Sequence, residues 1–269
     1  MIFRRFSYCA LIVIVTCLRA AASSTPPGGT YKGCPAEGAP KPTGLEAEVA
    51  EPVFLFINNE LNRLKNRADQ AVNPSTTTVA ELNGKAAPNN RILPNSRTNL
   101  LAPLNAAILA SRSISNAGQR AQIIQEANHR TLAALSEAFT SARAYENEAV
   151  VSQGYLASDV GAKSEGPESP NCYGESGDDY HIWLVDAVGD PRSVSAVVEM
   201  TPRWKDYNQS WKLERLHRFS VERTLVKITG WLLFDPEHPN EVGKTRGGQW
   251  EIHPITKVEY FEQNSWHEL

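Results

Sequence analysis

Through the C-terminal half of the chain, apolar and polar residues alternate in short runs, as in strands with one face on a core. The runs are EAVVSQGYL (148–156), DYHIWLVD (179–186), SVSAVVEM (193–200), RTLVKITGWLLF (223–234) and GGQWEIHPITKVEY (247–260). In the last, Trp250, Ile252, Val258 and Tyr260 fall on one side, and Glu251, His253, Lys257 and Glu259 on the other. Tyr180, Ile182 and Leu184 share a face in the second run, and Gly230 inside the fourth predicts a bulge or a barrel bend. Between the third and fourth runs, NQSWKLERLHRF (208–219) has helical spacing, with Ser210 as its cap and Leu213, Leu216 and Phe219 as its apolar side. Three strands, a helix and two strands is the order of a five-stranded OB-like β-barrel. An α+β sandwich of the same elements is the competing arrangement.

The N-terminal half has helical periods instead. Phe54, Ile57, Leu61, Leu64 and Ala68 recur at three and four residues, and Pro52 suits a helix start. Residues 73–99, punctuated by Pro, Asn and Gly, read as an irregular crossing segment. From Pro103 to Ala144 the chain is Ala-rich, which predicts one long helix, or two with a break near Asn116-Ala117-Gly118. KNRAD (65–69) reads either as a solvated helix end or as the point where the first helix docks on the barrel. The expected fold is therefore α+β. A signal peptide occupies 1–22, a flexible Pro/Gly-rich tail 23–44, a helical region 45–146 and the barrel 147–269.

The first of these units rests on Arg4 and Arg5, the apolar run from Tyr8 to Leu18, and Ala20-Ala21-Ala22 as a cleavage site. No later segment is apolar for long enough to cross a bilayer, so a secreted or periplasmic location is expected. Removing the signal leaves Cys34 and Cys172, which in an oxidising compartment suggest one disulfide; two separate thiols are the alternative. The overall net charge of −3 hides an asymmetry. From Asn147 onward there are 12 Lys+Arg against 20 Asp+Glu, a net −8. Nucleic acid is an unfavourable partner for so acidic a barrel, although Trp183, Trp204, Trp211 and Trp231 could in principle stack bases.

Several segments together resemble a family of exported bacterial OB-fold-like proteins of uncharacterised function. They are KNRADQAVNPSTTTVAEL (65–82), GDDYHIWLVD (177–186), VVEM (197–200), VKITGWLLFDPEHP (226–239) and WEIHPITKVEY (250–260). The likeness skips residues 97–145, which read as a helical insertion. It implies an OB-like barrel and an exported protein, and it brings no activity, ligand or catalytic residue.

His181, Glu199, Glu251 and His253 occupy the polar parity of their strands. If those strands pair, two imidazoles and two carboxylates converge, with Asp179 and His238 nearby. His181, Glu199, Glu251 and His253 are the candidates for acid/base chemistry, and Asp179, His181, Glu199 and His253 for a divalent metal. The same residues read more readily as a polar network that fixes strand register. GKTRGG (243–248) lacks the earlier glycine of a phosphate loop and reads as a solvated connection, and no other nucleophile or nucleotide motif is present. No cofactor is expected beyond such a metal. The leading expectation is an exported non-enzymatic binding module that presents loops 158–178 and 235–248 to an envelope partner, peptide or oligosaccharide. The alternative is a metal-assisted, nuclease-like hydrolase, to which Asp179, Glu199, Arg203 and Arg223 would belong by fold analogy alone.

Overall fold

The computed structural model describes residues 28–41, 51–86, 97–146, 148–235 and 237–269. The expected signal peptide lies outside them. The first apolar period forms α1 (Glu51–Lys65). The segment expected to be irregular instead carries a short strand, β1 (Ser75–Thr77), and a capped helix, α2 (Val79–Gly84). The cause is local: the Thr78 hydroxyl accepts from Glu81 N–H while the Glu81 carboxylate accepts from Thr78 N–H, a reciprocal cap that offsets the surrounding Pro and Asn. The Ala-rich stretch divides into α3 (Arg97–Ser111) and α4 (Ala117–Glu146). The break falls where the Asn116 side chain accepts from Gln119 N–H, at the expected position.

The alternating runs form β2 (Ala149–Leu156), β4 (Tyr180–Val185) and β5 (Ala196–Met200), with the short β3 (Ala162–Ser164) added in the first connection. Next come two helices, α5 (Pro202–Tyr207) and α6 (Leu213–Glu222). Ser210 caps neither; Lys212 precedes α6 with no side-chain cap. The reason is the tight reversal in which Trp211 N–H donates to Asn208 O, which sends the Trp211 ring into the core before the helix begins. The chain ends with β6 (Val226–Phe234), β7 (Trp250–Glu262) and β8 (Ser265–Glu268).

Around the barrel the order is β2-β6-β7-β5-β4, and β4 pairs back to β2 to close it. All of these pairings are antiparallel except β5–β7. This is the strand order expected of an OB-like barrel, with β1, β3 and β8 extending it outside the closed ring. Ile182, Leu184, Val198, Met200, Ile228, Leu232, Trp250, Ile252 and Val258 fill the interior, and Leu216 and Phe219 of α6 pack against them. The alternation of β7 is interrupted after Ile252, where the His253–Pro254 bond is cis and Ile255 turns into the core. Gly230 of β6 absorbs the shift. A Cβ there would stand 2.5 Å from Pro254 O and 2.6 Å from Ile252 Cγ2.

The expected flexible tail is pinned over residues 28–41. Cys34 and Cys172 form a disulfide across 138 residues, with their Cα atoms 5.7 Å apart. The Tyr31 hydroxyl donates to Asp206, and Arg203 Nη2 donates to Gly29 O (2.6 Å). KNRAD docks: the Trp204 and Trp231 indole N–H groups donate to Arg67 O and Asp69 O (both 2.9 Å), and the Arg67 guanidinium lies 3.5 Å over the Trp231 ring. The loop expected to be solvated at 243–248 also packs. Arg246 is 3% exposed, Gly247 N–H donates to Ser195 O (2.7 Å), and both glycines press on Asn83.

Two outcomes follow. Gly230→Ala should destabilise the fold by about 1–3 kcal/mol through overpacking against backbone that cannot retreat; a denaturant midpoint unchanged from the parent would contradict the close approach. Replacing Cys34 and Cys172 with Ser should cost about 4–5 kcal/mol in the loop-entropy account. Equilibrium unfolding of the double variant measures it.

Candidate functional site

Strand pairing places the candidate residues in one row. In the antiparallel β4–β5 pair His181 lies opposite Glu199. The parallel β5–β7 pair aligns Val198 with Ile252, which brings Glu199 beside His253. All three point away from the barrel interior, opposite in parity to Ile182, Val198 and Ile252. Asp179 enters the row two residues before His181, and Glu251 two residues before His253.

The distances are short. His181 Nε2 lies 3.0 Å from Glu199 Oε1, and His253 Nδ1 lies 3.0 Å from Glu199 Oε2 and 3.5 Å from Glu251 Oε2. Glu165 approaches His181 from the other side, with Oε1 3.3 Å from Nδ1. Asn171 Nδ2 donates to Asp179 Oδ2 (3.0 Å). The residues expected to converge therefore do so. The sequence reading missed a second tier, in which Arg246 Nη1 donates to Glu251 Oε1 (2.7 Å) and to Asp235 Oδ2 (2.8 Å). Asp235 Oδ2 also lies 2.6 Å from His238 Nδ1. His238 thus joins through Asp235 and Arg246 rather than touching the row. Arg203 and Arg223 stand apart from it: Arg203 holds the N-terminal segment, and Arg223 follows α6 in a left-handed conformation.

Although it lies on the outside of the barrel, the row is buried. Asp179, Glu199, Glu251 and His253 are each at most 2% exposed, and His181 is 9% exposed. The cover consists of α1, which lies against β7 and the 169–171 turn, together with the 165–172 and 235–246 connections. Lys65, in the last turn of α1, is buried among acids, with Glu237 Oε2 3.7 Å away. A signal for it existed: Lys65 stands four residues after Leu61, on the face that the apolar period buries.

Burial and charge compete at every member. Desolvation opposes the charged form of His253, yet Glu199 and Glu251 raise its pKa to about 10. Desolvation likewise opposes charge on His181, and Glu199 and Glu165 overcome it, raising its pKa. Burial disfavours ionised Glu199, but the two imidazoles hold it well below the ordinary carboxylate range. Asp179 goes the other way: burial, reinforced by Glu199, raises it. For Lys65, burial is outweighed by Glu237, Glu199, Glu168 and Asp235, which hold the ammonium charged.

One oxygen or nitrogen each from Asp179, Glu199 and His253 lies within 4.8 Å of the other two, a donor set that suits a divalent metal. His181 sits at the other oxygen of Glu199, beside this trio. A cavity of about 320 Å³ opens next to the second tier, lined by Glu168, Ser169, Pro170, Glu237 and His238. Trp183, Trp204, Trp211 and Trp231 are all buried and offer no stacking platform.

The His238–Asp235 contact gives a pH signature. The Asp235 hydrogen bond raises His238 from 6.5 to about 9, against desolvation and Arg246 and with help from Glu251. Its folded-state pKa lies above its unfolded value, so its stabilisation is complete below pH about 6.5 and is lost as pH rises through 9. The melting temperature of the parent minus that of His238→Gln should therefore shrink between pH 6.5 and 9.5; a constant difference would refute the pairing. Comparison with known proteins adds nothing to these observations: no family model, curated protein or solved structure matches the chain.

Proposed function

We propose that the chain is an exported, non-enzymatic binding module whose ligand seats in the cavity between its 168–170 and 237–238 segments. One observation carries this reading: the two connections expected to face a ligand meet across that cavity of about 320 Å³. The volume suits a single sugar ring or a comparably small group. The walls set the chemistry. Glu168 and Glu237 offer carboxylates, Ser169 a hydroxyl and His238 an imidazole. Burial raises the Glu168 pKa, with Lys65 working against the rise. Carboxylates paired with an imidazolium favour a ligand that carries hydroxyl and ammonium groups together, which points to the amino-sugar end of an envelope oligosaccharide. The disulfide, the resemblance to exported proteins and the lack of any described helix long and apolar enough to cross a membrane agree with that compartment.

The convergence of His181, Glu199, Glu251 and His253 favours a second reading, metal-assisted hydrolysis. Its difficulty is access. A scissile bond must reach the metal, and with Asp179, Glu199, Glu251 and His253 at most 2% exposed beneath α1 and two connections, a polymeric substrate would have to displace that cover.

Calorimetric titration of the disulfide-intact chain with glucosamine oligomers tests the leading reading. Binding should be saturable and should weaken at least about tenfold in the Glu168→Gln/Glu237→Gln double variant, as loss of two charge-assisted contacts requires. Absence of binding at millimolar sugar, or equal binding by the double variant, would refute it. Hydrolysis of a nucleic acid by the parent protein would favour the second reading instead.

A further inference from the structure

We propose that Asp179, Glu199 and His253 form a buried structural site for one divalent transition-metal ion, zinc or manganese, which ties three strands of the barrel together beneath the N-terminal cover. The site is independent of whatever fills the cavity between residues 168–170 and 237–238.

The first argument is placement. Donor atoms of the three side chains lie within 4.8 Å of one another, close enough for a single ion to reach all three at ligand distances near 2.0–2.2 Å with small rotamer changes. Each is held by regular structure. Asp179 leads into β4 and has its second oxygen fixed by Asn171; Glu199 lies in β5 and His253 in β7. Two carboxylates and an imidazole are a borderline donor set, better suited to zinc or manganese than to calcium or magnesium.

The second argument comes from polar atoms left without a proper partner. Asp179 Oδ1, Glu199 Oε2 and both ring nitrogens of His253 are buried and make no hydrogen bond. Glu199 Oε2 and His253 Nδ1 approach to 3.0 Å, yet not in the direction of an N–H···O bond. Such orphans are rare because each costs about 1–3 kcal/mol, more when charged. Buried polar atoms that converge without bonding one another are an arrangement that a common cation would satisfy.

Charge is the third consideration. The four buried carboxylates Asp179, Glu199, Asp235 and Glu251 are met by Lys65, Arg246 and the imidazoles of His181, His238 and His253, and an ion bound at His253 would take the place of that ring's proton beside Glu199. Glu251 and His181 would then act as outer partners. Glu251 lies 3.5 Å from His253 and His181 lies 3.0 Å from Glu199, where each can orient a ligand.

The purified disulfide-intact chain should first be stripped with a strong chelator and then titrated with Zn²⁺ and, separately, Mn²⁺. Bound metal is measured by equilibrium dialysis and elemental analysis, with thermal melts alongside. One ion per chain should bind, and the melting temperature should rise with metal concentration. Asp179→Asn should weaken binding by at least about tenfold, a conservative figure for a direct ligand given what outer partners cost. His129→Ala, exposed on α4, should bind as the parent does. If Asp179→Asn does not fold, the cobalt-loaded parent decides: intense d–d absorption of a low-symmetry nitrogen/oxygen site upholds the proposal, and a spectrum like that of the hydrated ion overturns it. No bound metal and no thermal shift, or undiminished binding by folded Asp179→Asn, also overturns it.

Discussion

Glu199 is held between two imidazoles on the outside of a small barrel, and much of the architecture answers to that pairing. A carboxylate that is 2% exposed survives only if its charge is matched, and removing a partner from a buried ion pair costs about 3–5 kcal/mol. An OB-like barrel with an exposed outer face would leave His181, Glu199 and His253 to water, and their mutual attraction would count for little. Here α1 and the connections around residues 168 and 240 cover all three. Each covering element brings a polar group of its own. Lys65 arrives with α1, Asn171 with the first connection, and Asp235 and Arg246 with the second. The cover is thus specified electrostatically as well as by apolar packing.

The cavity and the row form two levels of one polar system. His238 lines the cavity and contacts Asp235; Asp235 contacts Arg246; Arg246 contacts Glu251, which flanks His253. A ligand that touched His238 would therefore meet the surface of a chain of charges whose far end is buried. Such paired charges would present it with a fixed pattern at little entropic cost on association.

Much of this was legible in the sequence, and the unread parts have physical causes. Parity alone put His181, Glu199, Glu251 and His253 on a common side, because a strand's side chains repeat every two residues wherever the strand lies. Gly230 announced the bulge, and Asn116 the break between helices. Strand parity, however, cannot tell an outer face bathed in water from one roofed by another segment. For that reason the burial of the row was invisible, and Arg246 passed as part of a solvated connection. Arg246 stands in a glycine-rich run that normally reads as a loop, and what draws it inward is a pair of carboxylates 5 and 11 residues away in sequence. The Thr78–Glu81 cap was readable from its spacing and was obscured by the prolines and asparagines on either side. The pinning of residues 28–41 depends on Asp206, Arg203 and Cys172, partners too distant for any local pattern to show.

The parallel contact between β5 and β7 sets a timetable. Antiparallel neighbours such as β4 and β5 can meet as soon as both are made. Glu199, by contrast, must wait for His253, which emerges only after α6 and β6 have been synthesised. Lys65 and the rest of α1 are made long before the surface they cover exists. Until β7 takes its place, the nascent chain carries an amphipathic helix without a groove and a glutamate with only one of its two imidazoles. Contacts so remote along the chain form slowly, because a long loop must close before they stabilise anything. In a living cell the interval between those events is when this protein is most open to chaperones, proteases and mispairing.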